Sequence, residues 1–165
     1  MSKFTPPLKS DLQNLWLIQG LLLTTLVLSS VFCLNTDEQI RSIMPNDQRE
    51  LFRSIMYVIA ITTFPMTNLI RYIQLRLNQT MPFSEVDTRK VAQKRYQLTV
   101  IVSMLLIMSV GAYGILMFMW GDKQNTLFIF SGLSALGLFL YRPKLPEYEA
   151  LNQALHNKSD DQKEL

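Results

Sequence analysis

Four runs of this chain carry no charge: 15–34, 54–70, 98–120 and 126–141. The third reads LTVIVSMLLIMSVGAYGILMFMW. At ~1.5 Å of rise per residue it is long enough to cross a ~30 Å hydrocarbon core. A helix that is apolar on every face has no side to offer water. The fourth run is the shortest and spans only with Asn125 and Arg142 at the two interfaces. The pattern predicts an all-α integral membrane four-helix bundle made of two transmembrane hairpins. Its helices fall at about 12–34, 52–76, 85–120 and 125–141, within one domain over 1–145, followed by a cytoplasmic tail over 146–165.

The polar stretches set the boundaries. Ser10 and Gln13 have capping-box spacing before the first helix. That helix follows a positive start, but its apolar run is too long for a signal-peptide core and lacks a small-residue cleavage site, so it reads as uncleaved. Pro45-Asn46-Asp47 marks the entry to the second helix, and 35–53 reads as a loop. Pro65 removes the donor for the Ile61 carbonyl, which predicts a kink with Thr62 and Thr63 as substitute donors. The stretch 71–97 reads as a central loop. Within it Ser84 and Asp87 can cap a third helix whose first ten or so residues extend beyond the bilayer as a charged stalk. Gly121 to Asn125 forms a tight turn, and Arg142-Pro143 stops the fourth helix. Tyr148, Leu151 and Leu155 share a face, which predicts a short C-terminal amphipathic helix before a disordered end at 157–165.

Charge gives this architecture a direction. Charged residues make up 18% of the chain and hydrophobic ones 48%, with a net charge of +3. The basic residues flank the apolar runs, so they bear on topology and anionic lipid rather than on nucleic acid. The central loop holds Arg71, Arg76, Arg89, Lys90, Lys94 and Arg95 against Glu85 and Asp87. By the positive-inside rule that loop and both termini are cytoplasmic. Trp16, Tyr72, Tyr96 and Tyr141 then mark the inner interface, and Tyr57 and Trp120 the outer one. Arg53 and Arg71 read as snorkelling helix ends. Compact loops and the lack of eukaryotic targeting signals place the chain in a bacterial inner membrane.

Candidate chemistry is sparse. Cys33 is the lone cysteine, so the paired thiols of a quinone-linked membrane thiol oxidase are missing. His156 lies in the tail, out of reach of an intramembrane haem. The hairpin pair and the Gly111-Ala112-Tyr113-Gly114 segment look similar to the duplicated proteolipid of rotary ATPases, and four helices also resemble small multidrug exporters. Both families depend on an intramembrane carboxylate that has no counterpart here. No nucleophile–base pair, metal cluster or phosphate loop is recognisable, and no cofactor is expected. Met104, Met108, Met117 and Met119 read as packing. Small residues at Gly20, Thr24, Thr25, Ser29, Ser103, Gly111, Ser131, Ala135 and Gly137 supply close helix contacts.

Two groups remain as candidates for function. Arg89, Lys90, Lys94 and Arg95 form a basic stretch able to contact anionic lipid or an acidic partner. Gln19, Asn68 and Tyr113 are the polar intramembrane residues that would line a small site, or else serve as interhelical hydrogen bonds. The expected function is therefore that of a non-enzymatic multi-pass inner-membrane protein. It would act through contacts with the lipid bilayer and with another membrane protein or a second copy of itself, as an accessory subunit of a membrane complex. The alternative is a small transporter or channel built on the uncharged polar groups.

Overall fold

The computed structural model describes residues 12–35, 45–80 and 88–161. These contain five helices and no strand: α1 (Gln13–Leu34), α2 (Asn46–Thr80), α3 (Thr88–Met119), α4 (Gln124–Leu140) and α5 (Leu145–Asp161). α3 is the central element, packing against each of the other four, while α1 rests on α3 and α4. α1 and the Lys90–Met119 part of α3 are long and apolar enough to cross a membrane, with mean hydropathies of 2.1 and 2.3. α4 and α5 meet that standard only when taken together as one span bent by 47°. α2 does not meet it, since Thr62, Thr63, Pro65, Thr67 and Asn68 dilute its apolar run.

Several boundaries differ from the sequence expectation. α2 begins at Asn46 and runs to Thr80 through Pro65, 35 residues in all. Residues read as loop on both sides are therefore helical. Their charges had suggested solvent, but Arg49, Glu50, Arg71 and Arg76 are good helix formers and extend α2 beyond its apolar run. Thr62 and Thr63 do not serve the Ile61 carbonyl. Their hydroxyls donate to Val58 and Ile59, each four residues back, at 2.7 Å. α5 is also longer than expected, covering 17 residues to Asp161 and so reaching into the stretch expected to be disordered. The Ser10 and Ser84 caps lie outside the described residues.

The α3–α4 turn shows how the chain reverses. The Gly121 N–H donates to Phe118 O at 3.1 Å and the Asp122 N–H to Met117 O at 3.0 Å. This paired closure needs a left-handed residue, and Gly121 supplies it at φ 84°. Close approach then holds the helices. A Cβ on Gly114 would lie 2.7 Å from the Phe130 Cβ, and one on Gly137 would lie 2.5 Å from Ile107 Cγ2. Gly111 sits where a Cβ would meet Leu26 and Ser134, which brings α1 and α4 onto the same patch of α3.

The core runs most of the length of α3. Val91, Ala92, Tyr96, Val100, Met104 and Ile107 are all buried in one cluster. Tyr148, Leu151 and Leu155 of α5 close its lower end, so the stripe expected on one face of this helix is a core stripe. A second patch of Ala60, Val110 and Phe130 joins α2, α3 and α4, with Tyr57 stacked on Phe130 at 4.9 Å.

Candidate functional site

The four basic residues of the α3 entry do not act as one patch. Lys90 and Lys94 are exposed. Arg95 is half-buried and donates from Nη1 to Asn78 O at 2.8 Å. Asn78 answers with Nδ2 to Thr99 Oγ1 at 3.0 Å, so Arg95 helps to fasten the end of α2 to α3. Arg89 belongs to the first turn of α3, and its side chain lies outside the described residues.

The three polar residues expected to line one intramembrane site are held at separate places. Gln19 is buried and donates from Nε2 to Leu138 O at 3.2 Å, while its Oε1 has no hydrogen-bond partner. Tyr113 packs against the Phe130 patch. From Phe130 to Leu138 the rise along α4 is ~12 Å, so Gln19 and Tyr113 stand at different levels. Asn68 is exposed on α2.

The most developed polar site centres on Arg71. α2 carries this residue beyond its apolar run and turns it inward, where it is only 5% exposed. Its Nε and Nη2 donate to Glu147 Oε2 at 3.2 and 2.6 Å, and Nη1 donates to Tyr141 O at 2.8 Å. One guanidinium thus ties α2 to the end of α4 and the start of α5. The carbonyl it takes is among those that a helix leaves unsatisfied at its C-terminus, where cationic donors are favoured. Arg71 therefore does not snorkel. The planar fork explains why arginine serves here, since an ammonium cannot meet a carboxylate and a carbonyl in fixed directions at once.

Tyrosines complete the junction. Tyr96 donates to Lys144 O at 2.9 Å and accepts from the Lys144 backbone N–H at 2.7 Å. Its ring lies 5.6 Å from that of Tyr148. Tyr141 donates to Phe64 O at 2.8 Å, on the turn of α2 that holds Pro65. Tyr96 and Tyr141, expected to face lipid headgroups, are both buried. Burying a tyrosine is favourable when its hydroxyl is paired, as those of Tyr96 and Tyr141 are.

A smaller counterpart lies at the other end of α2. Arg53 Nη1 is 3.3 Å from Asp122 Oδ1, and Arg49 donates to Gly121 O at 2.6 Å and also to Asn46 Oδ1. The Phe52 and Trp120 rings meet at 5.6 Å beside this pair. Asp122 is 3% exposed and its Oδ2 has no hydrogen-bond partner. Arg53, like Arg71, is engaged by a specific group of the fold.

Among the described residues no group of three or more His, Cys, Asp or Glu side chains is placed to hold a metal. No known protein family, curated protein or solved structure matches the chain. Sequence reading misses the Arg71–Glu147 tie because it takes Arg71 for a helix end facing headgroups and Glu147 for part of a tail. The available signal was the core stripe of α5, which brings Glu147 back toward the helix bundle.

Proposed function

We propose that this chain is a four-span protein of the bacterial inner membrane that works through contacts, as an accessory subunit of a larger membrane complex. In this reading α1 to α4 cross the bilayer, while α5, the end of α2 and the start of α3 form a cytoplasmic layer together with both termini. The observation that carries the reading is the pair of polar ties between α2 and the two ends of α4. The rise from Arg53 to Arg71 is ~27 Å, close to the thickness of a hydrocarbon core. Between these ties α2 carries no charge. α4, with 17 residues, has the same reach and needs its ends held at the two interfaces. The many exposed apolar side chains along α1, α2 and α4, among them Phe32, Ile61 and Phe139, then face acyl chains or a partner helix.

The basic balance around the Arg71 end supports the orientation. A role through contact rather than transport is supported by the separation of Gln19, Asn68 and Tyr113. It is supported also by the way Arg71, Glu147 and Arg95 join helices to one another.

Two measurements test the proposal. In a Cys33→Ser background, Lys123→Cys should react with an impermeant maleimide on intact cells, whereas Lys94→Cys and Asn157→Cys should react only after permeabilisation. Labelling of Lys123→Cys and Lys94→Cys from the same side would remove α3 as a span. Native mass spectrometry of the chain extracted into nanodiscs from its own membrane should reveal a foreign subunit at fixed stoichiometry. A chain alone or self-associated that also conducts a solute, with flux lost in Gln19→Leu, would replace this reading with transport.

A further inference from the structure

Next to the Arg71 junction lies a groove of about 490 Å³, open on one side, between the last turns of α2 and the first turns of α5. Its volume falls in the range of small-molecule sites. α2 contributes Tyr72, Leu75, Arg76 and Gln79, and α5 contributes Glu147 and Ala150. The walls carry opposite charges. On one side Arg76 is exposed, and one of its nitrogens is 3.1 Å from Tyr72 Oη. The rest of its fork has no partner among the described residues. On the other side Glu147 gives Oε2 to Arg71, while its Oε1 has only the Lys144 ammonium at 3.9 Å, beyond hydrogen-bond reach. The floor between them is apolar, made by Leu75, Ala150 and the Tyr72 ring.

A ligand that satisfies both walls needs anionic oxygens for Arg76, a cationic N–H donor for Glu147, and an apolar body. A simple phosphate would meet the fork but face the Glu147 carboxylate. A quaternary ammonium would carry the charge but have no N–H to donate. From the four-span reading, on which this step rests, the groove lies at headgroup level on the cytoplasmic side, within two helical turns of Arg71. We infer that it is a lipid-headgroup site for a phosphodiester bearing a primary amine, the phosphatidylethanolamine class, with the phosphate on Arg76 and the amine on Glu147.

The test uses the full chain in detergent micelles, titrated with phosphatidylethanolamine, phosphatidylglycerol and phosphatidylcholine of identical acyl chains, with bound lipid counted by native mass spectrometry. Phosphatidylethanolamine should be retained about tenfold more tightly than the other two, a difference of one decade in Kd. Arg76→Gln removes the phosphate contact and Ala150→Phe fills the groove, and neither touches the Arg71 pair. Ala150→Phe should bring phosphatidylethanolamine down to the level of phosphatidylglycerol, whereas Arg76→Gln, which removes a phosphate contact common to both lipids, should weaken phosphatidylethanolamine and phosphatidylglycerol together by about tenfold. Equal retention of the three lipids overturns the assignment, as does a preference that survives Ala150→Phe. Saturation by soluble phosphoethanolamine at the same affinity would overturn the lipid source. Micelles have no sides, so this result and the maleimide labelling stand or fall independently.

Discussion

Replacing Arg71 with methionine keeps the length and apolar stem of the side chain and removes only the fork. The loss can be worked from its partners. The Tyr141 carbonyl, held at 2.8 Å in a buried position, loses its charged donor, which costs about 1–3 kcal/mol. Glu147 loses the partner 2.6 Å away. A wholly buried pair broken on one side costs about 3–5 kcal/mol. The Glu147 side chain is 26% exposed, however, so water can replace much of what the arginine gave, and the lower part of the range applies. About 3 kcal/mol in total is expected, equivalent to a fall of roughly 6–12 °C in melting temperature for a chain of this size. Detergent-solubilised protein followed by helix content during heating measures it directly. Glu147→Gln leaves the buried cation facing a neutral amide, and it should cost a comparable amount. The double variant should cost less than the two added together, with a coupling of about 1–2 kcal/mol. A methionine variant melting within about 1 °C of the parent, or a coupling under about 0.5 kcal/mol, would refute the argument that this junction holds α5 in place.

Four further variants probe other parts of the packing. Gly114→Ala should destabilise by about 1–3 kcal/mol, because its Cβ would lie 2.7 Å from the Phe130 Cβ, whereas Gly132→Ala, with nothing within 4 Å, should be neutral or slightly favourable in the same melts. Gln19→Leu should change stability by no more than about 1 kcal/mol, since the hydrogen bond it removes is offset by removing an unpartnered buried oxygen. A larger fall in denaturant unfolding would mean that Gln19 has a partner role beyond Leu138. Tyr148→Ala removes a fully buried ring that packs on Tyr96, and should cost about 3–5 kcal/mol and expose α5 to limited proteolysis well before the rest of the chain.

The charge-free runs mark where α1 to α4 lie, since each falls almost wholly inside one helix. They could not show which face of α1 packs, since leucine and valine occur all round it. The structure settles that face as Leu15, Gln19, Leu26 and Cys33, positions where a polar or small side chain interrupts the leucines as often as not. Charged segments misled in the opposite way. Charge usually marks solvent, so Arg49 reads as loop and Arg53 and Arg71 read as helix ends reaching for headgroups. In α2 they extend the helix instead, and Arg53 and Arg71 each meet an acid supplied by a distant turn. Local pattern cannot reveal such partners: Arg71 and Glu147 are 76 positions apart. The candidate groups fared accordingly. Lys94 is exposed as a basic contact residue would be, Arg95 is taken up inside the fold, and the polar trio has no common site.

The middle and the two ends of the helices are held by different physics. In the middle the hydroxyls of Thr24, Thr25, Ser29, Thr62, Thr63 and Ser103 all donate to carbonyls four residues back in their own helices. Such hydroxyls need no partner from a neighbour, so apart from the Ser134 hydroxyl, which donates to Ile107 O at 3.0 Å, contact there depends on shape, above all at Gly111, Gly114 and Gly137. Shape alone tolerates sliding by a turn, because a glycine groove accepts many side chains. The arginines at both ends of α2 prevent that for α2 and α4, since a one-turn shift of ~5.4 Å would separate both Arg53 from Asp122 and Arg71 from Glu147. α1 has no such charged tie among its described residues. Only 17% of its apolar stretch is buried, against 44% for that of α3. Its attachments include the Gln19 bond, a Ser30–Ser131 contact at 3.1 Å, the fit of Leu26 onto Gly111 and the packing of Cys33 with Phe118 and Leu127. α1 is therefore the helix that opens first. Hydrogen exchange in detergent should show its amides exchanging before those of α2 and α4, and equal protection of α1 and α4 would mean that packing by shape, without ion pairs, is enough to set the order of opening.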